Sequence, residues 1–286
     1  MKVIVDLAGG LGNQLFCYCF GYAVSKKTNS KFVLDTSMQD CGIARELELL
    51  NFNVDYSDRI SYVYKTGLVD RMFFNKVRKI KSIGIKTRIY QEKEPTKFEP
   101  EAFEISTDTY FKGNWQTEKY FSEYRNELLK MLVPKYERTQ SVKGLVDEMQ
   151  KCNSVAVHVR RGDYLQIGCQ LSMDFYDKAI LKFQELNQRK NTVFYIFSDD
   201  IDFVKQYFGK YEKKIELHYP QYESDNKTLD DLFLMSHCKH IIMANSSFSW
   251  WAAWLNQNEN KIVICPELGM WSGDFYPEKW NKIICE

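Results

Sequence analysis

The chain carries almost no net charge. With 39 Lys and Arg against 38 Asp and Glu the balance is +1, so no global field draws the protein to nucleic acid or to an anionic membrane. Its eight cysteines include no C-x-x-C pair, which removes the usual zinc-ribbon and dithiol readings. Several stand inside apolar runs, as Cys265 does in KIVICPE, and read as reduced core residues. No stretch approaches the roughly 18 apolar residues of a spanning helix, and MKVIVDLAGG is too short an apolar run for a signal peptide. A cytoplasmic protein is expected. The densest metal-like group, SHCKH, holds His237, Cys238 and His240, yet no second cluster answers it at zinc spacing and no metal is expected. Internal repeats and low-complexity tracts are missing.

What is present suits a soluble globular protein. The 286 residues are 44% hydrophobic, 27% charged and 15% aromatic, and that length points to two domains. Short β-branched runs alternate with helix-period segments: KVIVDLA then NQLFCYCFGYAVSKK, SVAVHVR then MDFYDKAILKFQELNQ, TVFYIFSDD then DFVKQYFG, HIIMANSS then FSWWAAWLNQ. Strand alternating with helix predicts an α/β protein with parallel sheets covered by helices. A helix ending at Pro134 and a connecting stretch, PKYERTQSVKG, place the boundary near 145–152, giving domains 1–150 and 151–286. The residues Arg71, Lys76, Arg78, Lys79, Lys81, Lys86 and Arg88 run without an intervening acid. They read first as a solvated helix face and second as a peripheral membrane contact.

The chemistry-bearing motifs fall just after strands, where parallel sheets bind ligands. GGLGNQLF offers Gly10 and Gly12 but has Leu15 where a dinucleotide fingerprint needs glycine, and no P-loop lysine follows. A tight turn with Asn13 and Gln14 at a helix start survives. In VAVHVRRGDY, His158, Arg160, Arg161 and Asp163 close a buried strand. Adjacent guanidinium groups suit a diphosphate, and the plainer alternative is an Arg161–Asp163 pair. FYIFSDDIDF presents Ser198, Asp199 and Asp200 for ribose hydroxyls, for a helix cap, or, through the D-x-D form of Asp200 and Asp202, for a metal. Asn245, Ser246 and Ser247 precede an aromatic helix and can form an anion site or a cap. Trp250, Trp251 and Trp254 read as core rather than as a sugar platform. A carboxylate at Asp230 or Asp231 can accept both N–H donors of a guanine edge.

Five blocks, GGLGNQLF, GNWQTEKYF at 113–121, HVRRGDY at 158–164, FSDD at 197–200 and LMSHCKHIIMANSSFSWWAAWL at 234–255, together resemble the bacterial alpha-1,2-fucosyltransferases. The resemblance implies a GT-B-type architecture, two Rossmann-like domains with parallel sheets facing across a cleft. It also implies metal-independent, inverting transfer of L-fucose from GDP-beta-L-fucose to the 2-hydroxyl of a galactoside, with no bound cofactor. Arg160 would bind the β-phosphate, supported by Arg161 and Asp163. His158 and Asp231 would face the nucleoside, Ser246 and Ser247 the phosphates, and Asn13 the donor from the N-terminal side. Gly10, Gly12, Gln14, Ser198, Asp199, Asp200, Asn245 and Phe248 complete the donor set, Asn13, Arg160 and Asp163 form the catalytic set, and Trp115 and Gln116 stand on the acceptor side. No motif names the base, for which Asp163 and Asp6 are candidates. Such an enzyme would build surface polysaccharide, including O-antigen, on a lipid-linked galactoside acceptor at the inner face of the membrane, without nucleic acid. Transfer from another GDP-sugar, or noncatalytic binding of a nucleotide-sugar or glycan, are the alternatives.

Overall fold

The computed structural model describes residues 1–42, 44–61, 86–187, 191–269 and 273–285. The basic residues from Arg71 to Lys81 lie outside the described residues. Two compact units emerge, Met1–Lys135 with Gly273–Phe275, and Tyr136–Ser272 with Tyr276–Glu286.

The first unit runs β1 (Lys2–Asp6), α1 (Leu11–Lys27), β2 (Lys31–Asp35), α2 (Ser37–Asp40), β3 (Arg59–Ile60), β4 (Arg88–Gln91), β5 (Thr109–Lys112) and α3 (Arg125–Met131). Among the described residues five strands pair in parallel in the order β3-β2-β1-β5-β4. Val3, Ile4 and Val5 of β1 are buried, as a central strand covered on both faces requires. Helix α1 is buried almost all round, so it carries no one-sided apolar stripe to read from sequence. It presses on the sheet through Gly21, where a Cβ would stand 2.7 Å from Val5 Cγ2 and from Phe32 Cζ.

The second unit runs α4 (Gln140–Lys151), β6 (Asn153–Val159), α5 (Gly162–Gln166), α6 (Met173–Leu186), β7 (Thr192–Ser198), α7 (Ile201–Phe208), β8 (Glu216–His218), α8 (Lys227–His237), β9 (His240–Ile242), α9 (Ser247–Leu255), β10 (Val263–Glu267) and β11 (Asn281–Ile284). Its sheet is parallel throughout in the order β11-β10-β9-β6-β7-β8. That is the doubly wound order, with the first strand in the middle and the direction reversing between β6 and β9. Each unit is thus a Rossmann-like α/β layer. Trp250, Trp251 and Trp254 are all but fully buried, so the aromatic helix is core.

The division falls after Lys135, fifteen residues ahead of the 150/151 boundary expected from sequence. Helix α4 explains the difference. It was hidden by the polar stretch that opens it, yet Thr139 caps it and Val142 and Met149 are buried, which makes it part of the second unit. Helix α3 also stops at Met131, short of Pro134. Residues Gly273–Phe275 return to the first unit, where Asp274 accepts from the Phe98 N–H at 2.9 Å and from Lys119 at 2.5 Å.

Gly21→Ala should overpack the contact between α1, β1 and β2 and cost about 2 kcal/mol. Urea unfolding at neutral pH measures it, and an unchanged midpoint would show that the helix can withdraw from the sheet.

Candidate active site

Strand-order reversal opens a crevice at the carboxyl ends of the flanking strands. In the second unit these are β6, which runs into His158, Arg160 and Arg161, and β9, which runs into Asn245 and Ser246. Strand β7 lies on the other side of β6 and delivers Ser198, Asp199 and Asp200 to the same edge.

Arg160 is gripped twice, by Asp163 at 2.7 Å and by Asp199 at 2.7 Å. The second oxygen of Asp199 accepts the Arg161 backbone N–H at 2.8 Å. Gly162 is required there, because a Cβ would stand 2.7 Å from Asp199 Oδ2. Arg161 Nε donates to Asp200 at 2.9 Å, and its guanidinium lies 3.3 Å from the centre of the Phe203 ring. Asp200 also caps α7, while its N–H donates to Ser198 Oγ at 3.0 Å.

Asp199 and Asp200 therefore tie the β7 turn to the arginines, with Ser198 Oγ accepting the Asp200 N–H behind them, and Arg161 is held as part of that tie. The Arg161–Asp163 pair is replaced by Arg160–Asp163 and Arg161–Asp200. The two carboxylates of the D-x-D form stand in different surroundings. Asp200 is spent on Arg161 and the cap, Asp202 is exposed on α7, and among the described residues no group of three or more His, Cys, Asp or Glu gathers at metal-binding distance.

Two buried side chains beside the reversal keep a polar atom without a protein partner, His158 Nδ1 and Asn245 Oδ1. Orphaned buried polar atoms are rare and mark places where a ligand or water belongs. The His158 backbone carbonyl accepts from the Tyr176 hydroxyl at 3.0 Å, and its ring stands 5.7 Å from that of Phe248. Burial, with the Arg160 charge second, pushes its pKa down to about 4, so the imidazole is neutral at physiological pH. Asn245 Nδ2 donates to the Cys169 carbonyl at 2.8 Å, and Tyr164 reaches the Asn245 carbonyl at 3.3 Å.

Ser246 acts as the cap of α9, accepting the Phe248 N–H at 3.2 Å, and Ser247 is the first helical residue. Asp231 belongs to a different cluster on α8, held by the Tyr222 hydroxyl and by Lys227 at 3.3 Å; burial raises its pKa. Its neighbour Asp230 is buried and bound by Tyr136 and Ser224.

In the first unit the order reverses between β1 and β5, and the two N-terminal blocks meet there. Gly9, at φ +63°, makes the turn, and its missing Cβ leaves room for Asn13, whose Nδ2 would lie 2.5 Å away. Gly10 is the N-cap of α1, with Gly12 and Asn13 in its first turn. Asn13 Oδ1 accepts from Gln116 Nε2 at 2.9 Å, which orients the amide and leaves its N–H groups to be offered.

Gln14 faces inward. Its Nε2 donates to the carbonyls of Gly9 and Glu46, and its Oε1 accepts the Leu49 N–H, which makes it a staple of the turn rather than a donor contact. Trp115, expected on the acceptor side, is fully buried and stacks on Phe20 at 3.9 Å. Its φ of +54° is costly for an aromatic residue and is held by Glu92, whose carboxylate accepts the N–H groups of Asn114 and Trp115. Gly113 is needed because a Cβ would meet that carboxylate at 2.6 Å. Glu92, and Arg45, whose Cδ would stand 3.3 Å from a Cβ at Gly10, carry no motif and escaped sequence reasoning.

The model of the glycosyl transferase family 11 matches residues 83–281. An alpha-1,2-colitosyltransferase of Escherichia coli is 32% identical, over 98% of both chains. An O-antigen biosynthesis glycosyltransferase, WbnK, of the same organism is 28% identical over 91% of this chain and 92% of its own. The structure of an Arabidopsis thaliana FUT1 mutant in complex with GDP superposes with a TM-score of 0.54 at 12% identity, covering 94% of this chain and 71% of that one, a likeness of fold.

The depressed pKa of His158 means that the unfolded chain takes up its proton more readily. Stability from this group is complete above pH 6.5 and is lost as pH falls toward 4, by about 3 kcal/mol. Urea unfolding at pH 7 and pH 4.5 should show a steeper acid loss for the wild type than for His158→Gln; equal losses would mean that the ring is protonated in place.

Proposed function

The chain belongs to glycosyl transferase family 11, and from that premise we propose that it moves L-fucose from GDP-beta-L-fucose to the 2-hydroxyl of a galactoside, with inversion and without a metal. The observation that carries this reading is Arg160, fixed at the strand-order reversal beside the unpartnered His158 and Asn245 atoms. A guanidinium held in place presents directional donors to phosphate oxygens and gains strength as charge develops on a departing diphosphate.

In this reading neutral His158 and the Asp231 carboxylate serve the nucleoside, Ser247 and the start of α9 the phosphates, and Asn13 the transition state through its amide N–H groups. Among the described residues no helix is long and apolar enough to cross a membrane, and a lipid-linked acceptor belongs to the proposal.

The colitosyltransferase relative favours a second donor. Colitose is L-fucose lacking one hydroxyl, so a site that does not hydrogen-bond that hydroxyl accepts either sugar, whereas one that does discriminates strongly.

With GDP-fucose and lactose in excess chelator, GDP release and a product carrying fucose on the galactose 2-hydroxyl are expected. Turnover with a GDP-colitose donor alone would transfer the assignment to the second reading. Asn13→Ala should lower kcat about 100-fold while GDP affinity changes little, and equal loss of both would remove Asn13 from the transition state.

A further inference from the structure

Both terminal nitrogens of the Arg160 guanidinium are engaged as the structure stands, so a phosphate cannot take its paired face without competing with a carboxylate. One terminal nitrogen of its guanidinium holds Asp199 and the other holds Asp163, both at 2.7 Å. The local charge is also unfavourable. Arg160 and Arg161 bring two positive charges against the three negative charges of Asp163, Asp199 and Asp200, so an incoming diphosphate meets a cluster of net charge −1. Departure of one carboxylate relieves that repulsion and opens the paired face of the guanidinium.

The two grips differ in how firmly they are built. Asp199 follows β7, spends its second oxygen on the Arg161 N–H at 2.8 Å, and is packed against Gly162. Asp163 rides on α5, a five-residue helix with no buried residue, and its side chain is 36% exposed. The Arg160–Asp163 pair is half-buried, but it is local, three residues apart on a short helix without a buried residue, whereas Asp199 is anchored by a strand and a second hydrogen bond, so the Asp163 grip is the one that yields.

We propose that Asp199 is the positioning residue that keeps Arg160 aimed, and that Asp163 is a resident carboxylate which the diphosphate of the donor displaces from Arg160. This rests on Arg160 being the diphosphate ligand. No bond is made or broken in the exchange; one anion replaces another on the guanidinium, and the Asp163 carboxylate passes to solvent.

Calorimetric titration with GDP at low salt separates the parts. Asp163→Asn, which removes the competing charge, should tighten GDP roughly fivefold, a gain that loss of structure would not produce. Raising the salt should shrink the gain, and Asp163→Glu should return the affinity toward that of the wild type. Asp199→Asn, which leaves Arg160 unaimed, should weaken GDP about tenfold and raise the donor KM along with it. Unchanged or weakened GDP binding by Asp163→Asn, with the wild type binding normally, overturns the exchange even if Asp199→Asn fails to fold. Absence of GDP binding by the wild type overturns the donor reading itself, and the exchange with it.

Discussion

A parallel strand cannot hand the chain to its neighbour through a hairpin; each must leave at its carboxyl end and return by a crossover. That constraint organises both units. Where successive crossovers turn to opposite sides of the first strand, the loops part and leave a crevice. In the first unit this happens between β1 and β5, and in the second between β6 and β9. The chain carries Asn13 with Gln116 across the first of these places and Arg160 with His158 and Asn245 across the second.

Parallel pairing alone does not make the loops firm enough for catalysis. Each crevice has a carboxylate that takes up backbone N–H groups of its loop, Glu92 for the loop after β5 and Asp199 for the loop after β6. Each is matched by a glycine that allows close approach, Gly113 and Gly162. Backbone N–H groups satisfied by a buried or half-buried carboxylate leave little freedom to the side chains they carry. The stack of Trp115 on Phe20 adds to this in the first unit.

Much of the fold was legible because strand and helix periods alternate plainly from Asn153 onward, and the RRGD and FSDD stretches lie just where strands end. The site was legible in outline and not in detail. Sequence shows that Arg160 and Arg161 are adjacent to acids but not which acid takes which arginine, since pairing between β6 and β7 joins residues 39 apart. Gln14 and Trp115 were misplaced because a polar amide beside a glycine turn, and an aromatic ring in the polar stretch GNWQTEK, give no sign of pointing inward. Glu92 left no trace at all: its partners are backbone groups, which every residue has. Helix α4 was missed because capping by Thr139 and two buried residues, Val142 and Met149, are too few to stand out in a polar segment.

The short segment Gly273–Phe275 also bears on how the chain comes off the ribosome. Asp274 ties down the Phe98 N–H and Lys119, and Phe275 stands 6.3 Å from Phe16 of α1. The first unit to be synthesised is therefore among the last to be finished, because it waits for residues that follow nearly the whole of the second. Until they emerge, part of the α1 packing surface has no cover, and the two units are tied into a single order of completion even though each has its own sheet.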